Sequence, residues 1–418
     1  MSPTFQSLRF AGFRVWSVGA LVSNIGTWMQ RIAQDWLVLT ELTDNSGVAI
    51  GVVTALQFAP SVFLASVAGG IADRFDRRRV LITTQILSGI LAGVLGLLVL
   101  TDQARLWHVY VLACALGMVS AIDAPARQTF VAQLVPHEHL SNAVGLNSAS
   151  FHSGRLIGPG LAGVLIHWLG TGPVFLINAL SFVAVVVSLL RLGPADLLPQ
   201  QREKQARKRF AALRHLRERP DMATTMLIVG VAGTFSLNFQ LTTALMARLE
   251  FGRGAGEYGL LGSIMAVGSL TGALLGARRT NPQPVLVART VLLFGGLAGL
   301  AALAPNYSLF ALCLIPVGMA ALTFMTASNA VLQMGTEPWL RGRVMALYSA
   351  IFFGGSALGS PLLGWIAQEY GARWSIGTGA LAAIGVGLLG LILLHRQGRG
   401  HLSEPSQDEP VPIGVPTS

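Results

Sequence analysis

The sequence predicts an all-α polytopic membrane protein with twelve transmembrane helices in two six-helix pseudo-repeats. Three observations carry this reading. Of 418 residues, 52% are hydrophobic and only 11% charged, with a mean hydropathy of +0.60. An ordinary soluble domain carries roughly 25% charged residues. Apolar runs long enough to cross a bilayer, about 20 residues, recur along the whole chain between short polar turns. A glycine-proline pattern also recurs at a fixed offset of 201 residues.

Spans are expected at 13–40, 47–72, 80–101, 107–127, 140–168, 173–193, 222–248, 256–277, 285–304, 308–330, 342–367 and 374–395. They are called spans 1 to 12 below. Met1–Gly12 reads as a short amphipathic lead-in carrying Phe5, Leu8 and Phe10. No cleavable signal peptide is expected, because the first apolar run continues into a full-length span without a convincing cleavage site. Spans 2 and 3 are separated by Gly69–Arg79, a glycine pair followed abruptly by charges, which reads as a tight hydrophilic turn. The longest polar stretch, Pro194–Asp221, is strongly basic, and Leu213 and Leu216 within it suggest an amphipathic helix on the inner membrane surface. The expected organisation is a first bundle over 1–193, a cytoplasmic basic linker over 194–221, a second bundle over 222–395 and a tail over 396–418. The tail is expected to be disordered, since His401–Ser418 holds four prolines and several acids.

The net charge of +10 does not point to nucleic acid, because the basic residues lie in short loops between apolar runs. With both termini inside, 23 of the 29 Lys and Arg residues fall on the inner side. Four fall outside (Arg105, Arg248, Arg253 and Arg373), and Arg31 and Arg155 fall within spans. That bias predicts N-in, C-in topology. Cys114 and Cys313 both lie in apolar runs, so no disulfide framework and no metal-ligand cluster is expected.

The repeat supports a division of six spans from six. Gly158-Pro159-Gly160-Leu161-Ala162-Gly163, then Gly170, matches Gly359-Ser360-Pro361-Leu362-Leu363-Gly364, then Gly371. Phe151 and Gly154 match Phe352 and Gly355 at the same offset. Parallel repeats about an axis along the membrane normal characterise one large transporter class.

With these motifs the chain resembles the major facilitator superfamily. The loop between spans 2 and 3 is similar to the family signature, with Gly69, Asp73, Arg74, Arg77 and Arg78 in place and Leu81 closing it. Asp76 stands where the family usually has glycine. The resemblance implies an inner gate, with Asp73 facing the start of span 11 near Gly342, where the helix dipole favours an acid. It also implies that Arg77 or Arg78 reaches Asp123 at the inner end of span 4. A simpler reading leaves the loop as a topology signal. Span 5 resembles the signature of the exporter branches in Gly145, Gly154, Gly158, Pro159 and Gly163, with Ala162 replacing a glycine. The alternative there is ordinary small-residue packing. Gly26–Gln30, Gln34–Leu39, Asp123–Gln128 and Asn142–Asn147 resemble a bacterial branch that includes enterobactin exporters and macrolide-type drug efflux proteins. The resemblance covers about residues 5–395 and implies a place in the bacterial plasma membrane.

Ionisable residues at span depth are costly and are candidates for function. Arg31 and Asp35 lie one turn apart on span 1 and can pair, with Gln30 and Gln34 beside them. Asp35 is either the proton-coupling acid or half of a static ion pair. Arg155 could neutralise an anionic substrate, bind Asp35 or serve a structural carboxylate. His152 could carry a proton, or pack. Asn238, Gln240 and Asn329 could line a cavity, with Trp28, Trp36, Phe235, Phe239, Phe324, Phe352 and Phe353 as apolar walls.

The function expected is secondary export of a small amphiphilic organic compound by alternating access, in exchange for protons. Import by the same fold, or a non-transporting sensor, remain the alternatives. No Gly-x-x-x-x-Gly-Lys-Ser/Thr loop is present and no clustered nucleophile and base is visible, so neither nucleotide-driven transport nor an enzyme is expected. No cofactor or metal is expected. The partners expected are the substrate, protons and the lipid bilayer, with the protein as a monomer.

Overall fold

The computed structural model describes residues 3–64, 68, 70–71, 74–193, 196–198, 211–277 and 283–401. Helices form at every predicted span. They run Ala11–Leu37, Gly47–Phe63, Arg77–Leu100, Leu106–Phe130, Leu140–Leu169 and Thr171–Arg191 in the first half. In the second half they run Pro220–Leu245 with a break, Ala255–Ala277, Pro284–Ala302, Tyr307–Met334, Pro338–Tyr370 and Ala372–His401. Among the described residues, nine helices are long and apolar enough to cross a membrane. The three that fall short are spans 1, 2 and 5. Spans 1 and 5 are diluted by Gln30, Arg31, Gln34 and Asp35 and by His152 and Arg155, while the continuous described helix of span 2, Gly47–Phe63, has only 17 residues.

Local chemistry sets the helix ends. Ser46, Asp76 and Asn306 cap spans 2, 3 and 10 by accepting from Ala49, Arg79 and Leu309 backbone N–H groups. Pro220, Pro284 and Pro338 open spans 7, 9 and 11, where a missing N–H costs nothing. Gly170 (φ +80°) and Gly371 (φ +100°) end spans 5 and 11 in a backbone region that favours glycine. These two are the terminal members of the 201-residue repeat, so the repeat in sequence is a repeat in backbone geometry.

Within the first half, span 1 packs on spans 5 and 6, span 3 on spans 4 and 6, and span 2 on span 4. In the second half, span 8 packs on span 10 and span 9 on spans 10 and 12. The halves meet along span 2 against span 11 and span 5 against span 8. Repeat glycines make those contacts possible. A Cβ on Gly163 would come within 2.8 Å of the Ala255 carbonyl oxygen of span 8. One on Gly364 would come within 2.6 Å of the Gly47 carbonyl carbon of span 2.

Span 7 is not one regular helix, as the apolar run suggested. It widens into a π turn at Ala232–Ser236, breaks at Leu237–Asn238, re-forms over Phe239–Leu245 and widens again at Met246–Glu250. Span 12 continues as helix to His401, six residues past its expected end at 395; residues 402–418 of the expected disordered tail lie outside the described residues. Of the linker, Ala211–Glu218 is helical, with an exposed Arg214–Glu218 pair at 2.8 Å; residues 199–210 lie outside the described residues.

Candidate functional site

The two halves are tied together mainly at the end opposite the linker. Five described hydrogen bonds join them: Ser46 to Gln368, Arg248 to Asn45, Gln240 to Asp35, Tyr258 to Asp35, and Ser263 to the Leu156 carbonyl. Gly47, Gly51, Gly163 and Gly259 bring backbones into contact at the same end. This geometry closes that end between the halves.

Asp35 is the centre of the closure. Its side chain is buried, with 2% of the residue exposed. Gln240 Nε2 donates to Asp35 Oδ2 at 2.7 Å, and the Tyr258 hydroxyl lies 3.1 Å from the same oxygen. The Tyr258 hydroxyl is also 3.1 Å from the Gln240 carbonyl oxygen, and its ring stacks against Trp36 at 6.1 Å. One carboxylate of span 1 thus holds spans 7 and 8 of the other half. Tyr258 was not singled out in the sequence. It is one of only five tyrosines, placed on span 8 at the depth where span 1 carries Asp35, and that matching depth was the available signal.

The expected Arg31–Asp35 ion pair does not form. Arg stands four residues before Asp, the weaker orientation on a helix, and Asp35 is already occupied across the interface. The Arg31 guanidinium lies 5.0 Å from the Trp28 ring centroid and 5.7 Å from that of Phe58. Arg155 does not bind Asp35 either; its guanidinium lies 5.5 Å from the same Trp28 ring. Gln30 leaves the predicted polar patch as well, accepting from Asn178 of span 6 at 2.5 Å. Among the described residues, neither Arg31 nor Arg155 has an ion-pair or hydrogen-bond partner, and both are half-buried. An arginine at the centre of a membrane helix costs about 2.5–3.5 kcal/mol on insertion scales. A cation–π contact returns about 0.5–2 kcal/mol. Two cations sharing one indole therefore keep an unmet demand for negative charge.

The remaining candidates divide clearly. Asn238 does not face open space: its Oδ1 accepts from Ser356 at 2.5 Å and Ser360 at 3.0 Å, and its Nδ2 donates to the Thr234 carbonyl. It secures the break in span 7 against span 11. Asn329 accepts from Gln333 on its own helix at 2.6 Å. His152 packs edge-on to Phe151, 5.8 Å between centroids.

Asp123 pairs with neither Arg77 nor Arg78. It binds Arg127 at 2.9 Å, with Asp preceding Arg by four residues in the stronger orientation, and accepts from Thr84 and Gln85. Arg77 donates to the Thr129 carbonyl, and Arg78 to the Leu189 and Leu190 carbonyls at the end of span 6. These arginines stitch the ends of spans 3, 4 and 6 together. Arg74 is exposed. Asp76 is the N-cap of span 3, which explains an acid at that position. Gly69 and Asp73 lie outside the described residues.

In span 5, a Cβ on Gly154 would come within 2.8 Å of Asn24, and one on Gly158 within 2.6 Å of Trp28 Cβ, both on span 1. Pro159 meets Gly259 and Gly262 of span 8. Gly145 has no such neighbour. All but Gly145 are therefore packing positions, and Gly355, the repeat partner of Gly154, packs in the same way, on Thr234 of span 7.

Comparison with known proteins agrees with this architecture. The enterobactin exporter of Citrobacter koseri is 27% identical over 420 residues, covering 99% of this chain and 96% of that protein. The staphyloferrin A transporter of Staphylococcus aureus is 25% identical over 361 residues, covering 83% and 87%. Among solved structures, a bacterial homologue of the human lysosomal transporter Spinster, inward-facing and unoccupied, superposes with a TM-score of 0.69 at 15% identity over 94% of this chain and 96% of that one. The nucleoside transporter NupG superposes with a TM-score of 0.70 at 14% identity over 92% and 99%. These structures show the major facilitator fold. The sequence profile of the transmembrane secretion effectors matches residues 2–413. The chain belongs to that family of major facilitator transporters, and is a multi-pass membrane transporter rather than an enzyme.

Proposed function

We propose that this protein is a secondary exporter that moves a small amphiphilic organic compound out of the cell by alternating access, in exchange for protons. The units that rock are residues 1–193 and 222–395, with the linker 194–221 and both termini on the cytoplasmic side. The similarity to an enterobactin exporter supports the direction and the class of cargo. The observation that carries the mechanism is the Asp35 bridge to Gln240 and Tyr258. It spans the two units at the end that must open to release cargo outside.

The chemistry follows from the charge on that carboxyl group. As a carboxylate, Asp35 accepts two charge-assisted hydrogen bonds and keeps the outer end shut. The empty, deprotonated carrier is therefore held facing inward, which prevents futile cycling. Cargo entering from the cytoplasm supplies the free energy to break the bridge. Once the outer end is open, Asp35 meets the outside solution and takes up a proton. The protonated group has a weaker claim on its partners, so the outer end re-closes only loosely, and loss of the proton to the inside restores the charged bridge and completes the return. Asp73 completes the inner closure against the start of span 11 when the carrier faces outward.

Everted membrane vesicles test direction and coupling together. With the lumen acidified, they should accumulate cargo from a panel of labelled amphiphiles that includes iron-free siderophores, and collapse of the pH gradient should release it. Accumulation confined to right-side-out vesicles would make the protein an importer. Flux of no compound in either orientation would favour a sensor.

A further inference from the structure

The two guanidiniums around Trp28 form a site that the coupling acid does not use. We propose that Arg31 and Arg155, with Trp28 and Phe58, bind the anionic group of an aromatic substrate: a carboxylate or phenolate carried on a flat ring. This deepens the exporter reading, on which it rests, by naming the charge and shape of the cargo.

Four features converge here. Both cations lie over one indole, Arg31 at 5.0 Å and Arg155 at 5.5 Å, although they come from different spans. Neither has a carboxylate partner among the described residues, and Asp35, one helical turn from Arg31, is held by Gln240 and Tyr258. A guanidinium presents a planar fork of donors that matches a carboxylate in two-point contact. Finally, the cations sit within a continuous run of rings. Phe151 meets Trp28 at 5.8 Å, Arg31 bridges Trp28 to Phe58, and Phe58 stacks on Phe353 at 5.4 Å and 16°. Phe353 continues to Phe352 at 5.3 Å, and Phe352 to Tyr348 at 6.3 Å.

That run passes through spans 5, 1, 2 and 11, so it crosses from one half of the protein to the other. A flat anionic ring lying along it would satisfy the cations and present a face to the aromatic side chains. An organic cation of the same size would meet two like charges instead, which selects against it. Because the run includes residues of both halves, occupancy is felt by both, as alternating access requires.

The test uses full-length protein in lipid nanodiscs and three probes alike in their ring system: 2-naphthoate, 2-naphthamide and 2-naphthylmethylammonium. Isothermal titration calorimetry reads binding without any proton gradient. Naphthoate is expected to bind at least about tenfold more tightly than the amide, with the ammonium probe weakest. Arg31→Gln and Arg155→Gln should each weaken naphthoate about tenfold and erase its advantage over the amide. Trp28→Leu should weaken the anion and the amide alike. Equal or tighter binding of the amide or the ammonium probe to the unaltered protein would overturn the proposal, and that comparison needs no variant to fold. So would absence of naphthoate binding at millimolar concentration, or folded glutamine variants that keep the anion preference. Naphthoate binding without gradient-driven flux would leave this site standing and overturn the exporter. Gradient-driven export of neutral or cationic compounds alone would do the reverse.

Discussion

Replacing Asp35 with asparagine removes the charge from the bridge between the halves while nearly keeping its shape. The effect can be worked from the geometry. Gln240 at 2.7 Å and Tyr258 at 3.1 Å both converge on Oδ2 of the carboxylate. Hydrogen bonds to a charged group contribute about 1.5–3 kcal/mol, and neutral ones about 0.5–1.5 kcal/mol. Tyr258 retains a second acceptor in the Gln240 carbonyl at 3.1 Å, which limits its share of the loss. The closed arrangement should therefore weaken by about 1–2.5 kcal/mol, or about 5- to 70-fold in the closed-to-open ratio. Double electron–electron resonance can read that ratio from labels at Gln103, on the loop between spans 3 and 4, and Ser308, in the first turn of span 10, two exposed positions of opposite halves at the closed end. Cys114 and Cys313 would first be replaced by alanine. In the parent protein the closed distance should dominate at alkaline pH, where Asp35 is a carboxylate, and lose population as pH falls. Asp35→Asn should shift population towards the open distance by about that factor at every pH, with no pH dependence, and should lose proton-driven export. An unchanged distance distribution in the variant, or a pH dependence that survives the substitution, would refute the latch.

Three further outcomes separate architecture from function. Asp76→Ala removes the N-cap of span 3 and should cost about 1 kcal/mol, seen as a small fall in Tm with transport per folded molecule retained. Asn238→Ala leaves Ser356 and Ser360 without their shared acceptor, and should cost about 1–3 kcal/mol of thermal stability while the KM of the remaining folded protein is unchanged. Asp73→Asn should impair transport in a protein that still inserts and elutes as the parent does; normal transport by that variant would reduce the loop between spans 2 and 3 to a topology signal.

Much of the fold was legible because the bilayer makes span length a hydropathy problem. The ends of spans 3, 4, 5, 6 and 9 fall within a few residues of where apolarity changes, and the 201-residue offset reappears as paired positive-φ glycines, Gly170 and Gly371. Pairing of charges was less legible. Spacing of four residues places Arg31 beside Asp35 and Asp123 beside Arg127 equally well, yet only the second pair forms. The difference lies in helix direction and in what waits across the interface, and the second of these is not written in a local window. The break in span 7 was hidden for a related reason. The stretch Gly233-Thr234-Phe235-Ser236 looks apolar enough to be helix, but Gly359 and Gly379 bring spans 11 and 12 onto its carbonyls and Ser236 donates to the Gly379 carbonyl at 2.6 Å. Tertiary contact overrode a local preference there.

The pseudo-symmetry also indicates where the chemistry has been placed. Contacts that hold the fold together occur twice: Gly154 on span 1 and Gly355 on span 7, Gly163 on span 8 and Gly364 on span 2. Side chains that bear charge at span depth occur once. The repeat partner of Arg155 is Ser356, which donates to Asn238 inside its own half. The repeat partner of His152 is Phe353, which stacks on Phe58. One half thus carries the cations and the acid, and the other supplies Gln240, Tyr258 and the aromatic rings that meet them. A carrier whose two halves held the same charges would repel across the interface it must open and close. Division of labour on a repeated frame lets the interface close through neutral donors and rings, and confines the acid, Asp35, to one side of it.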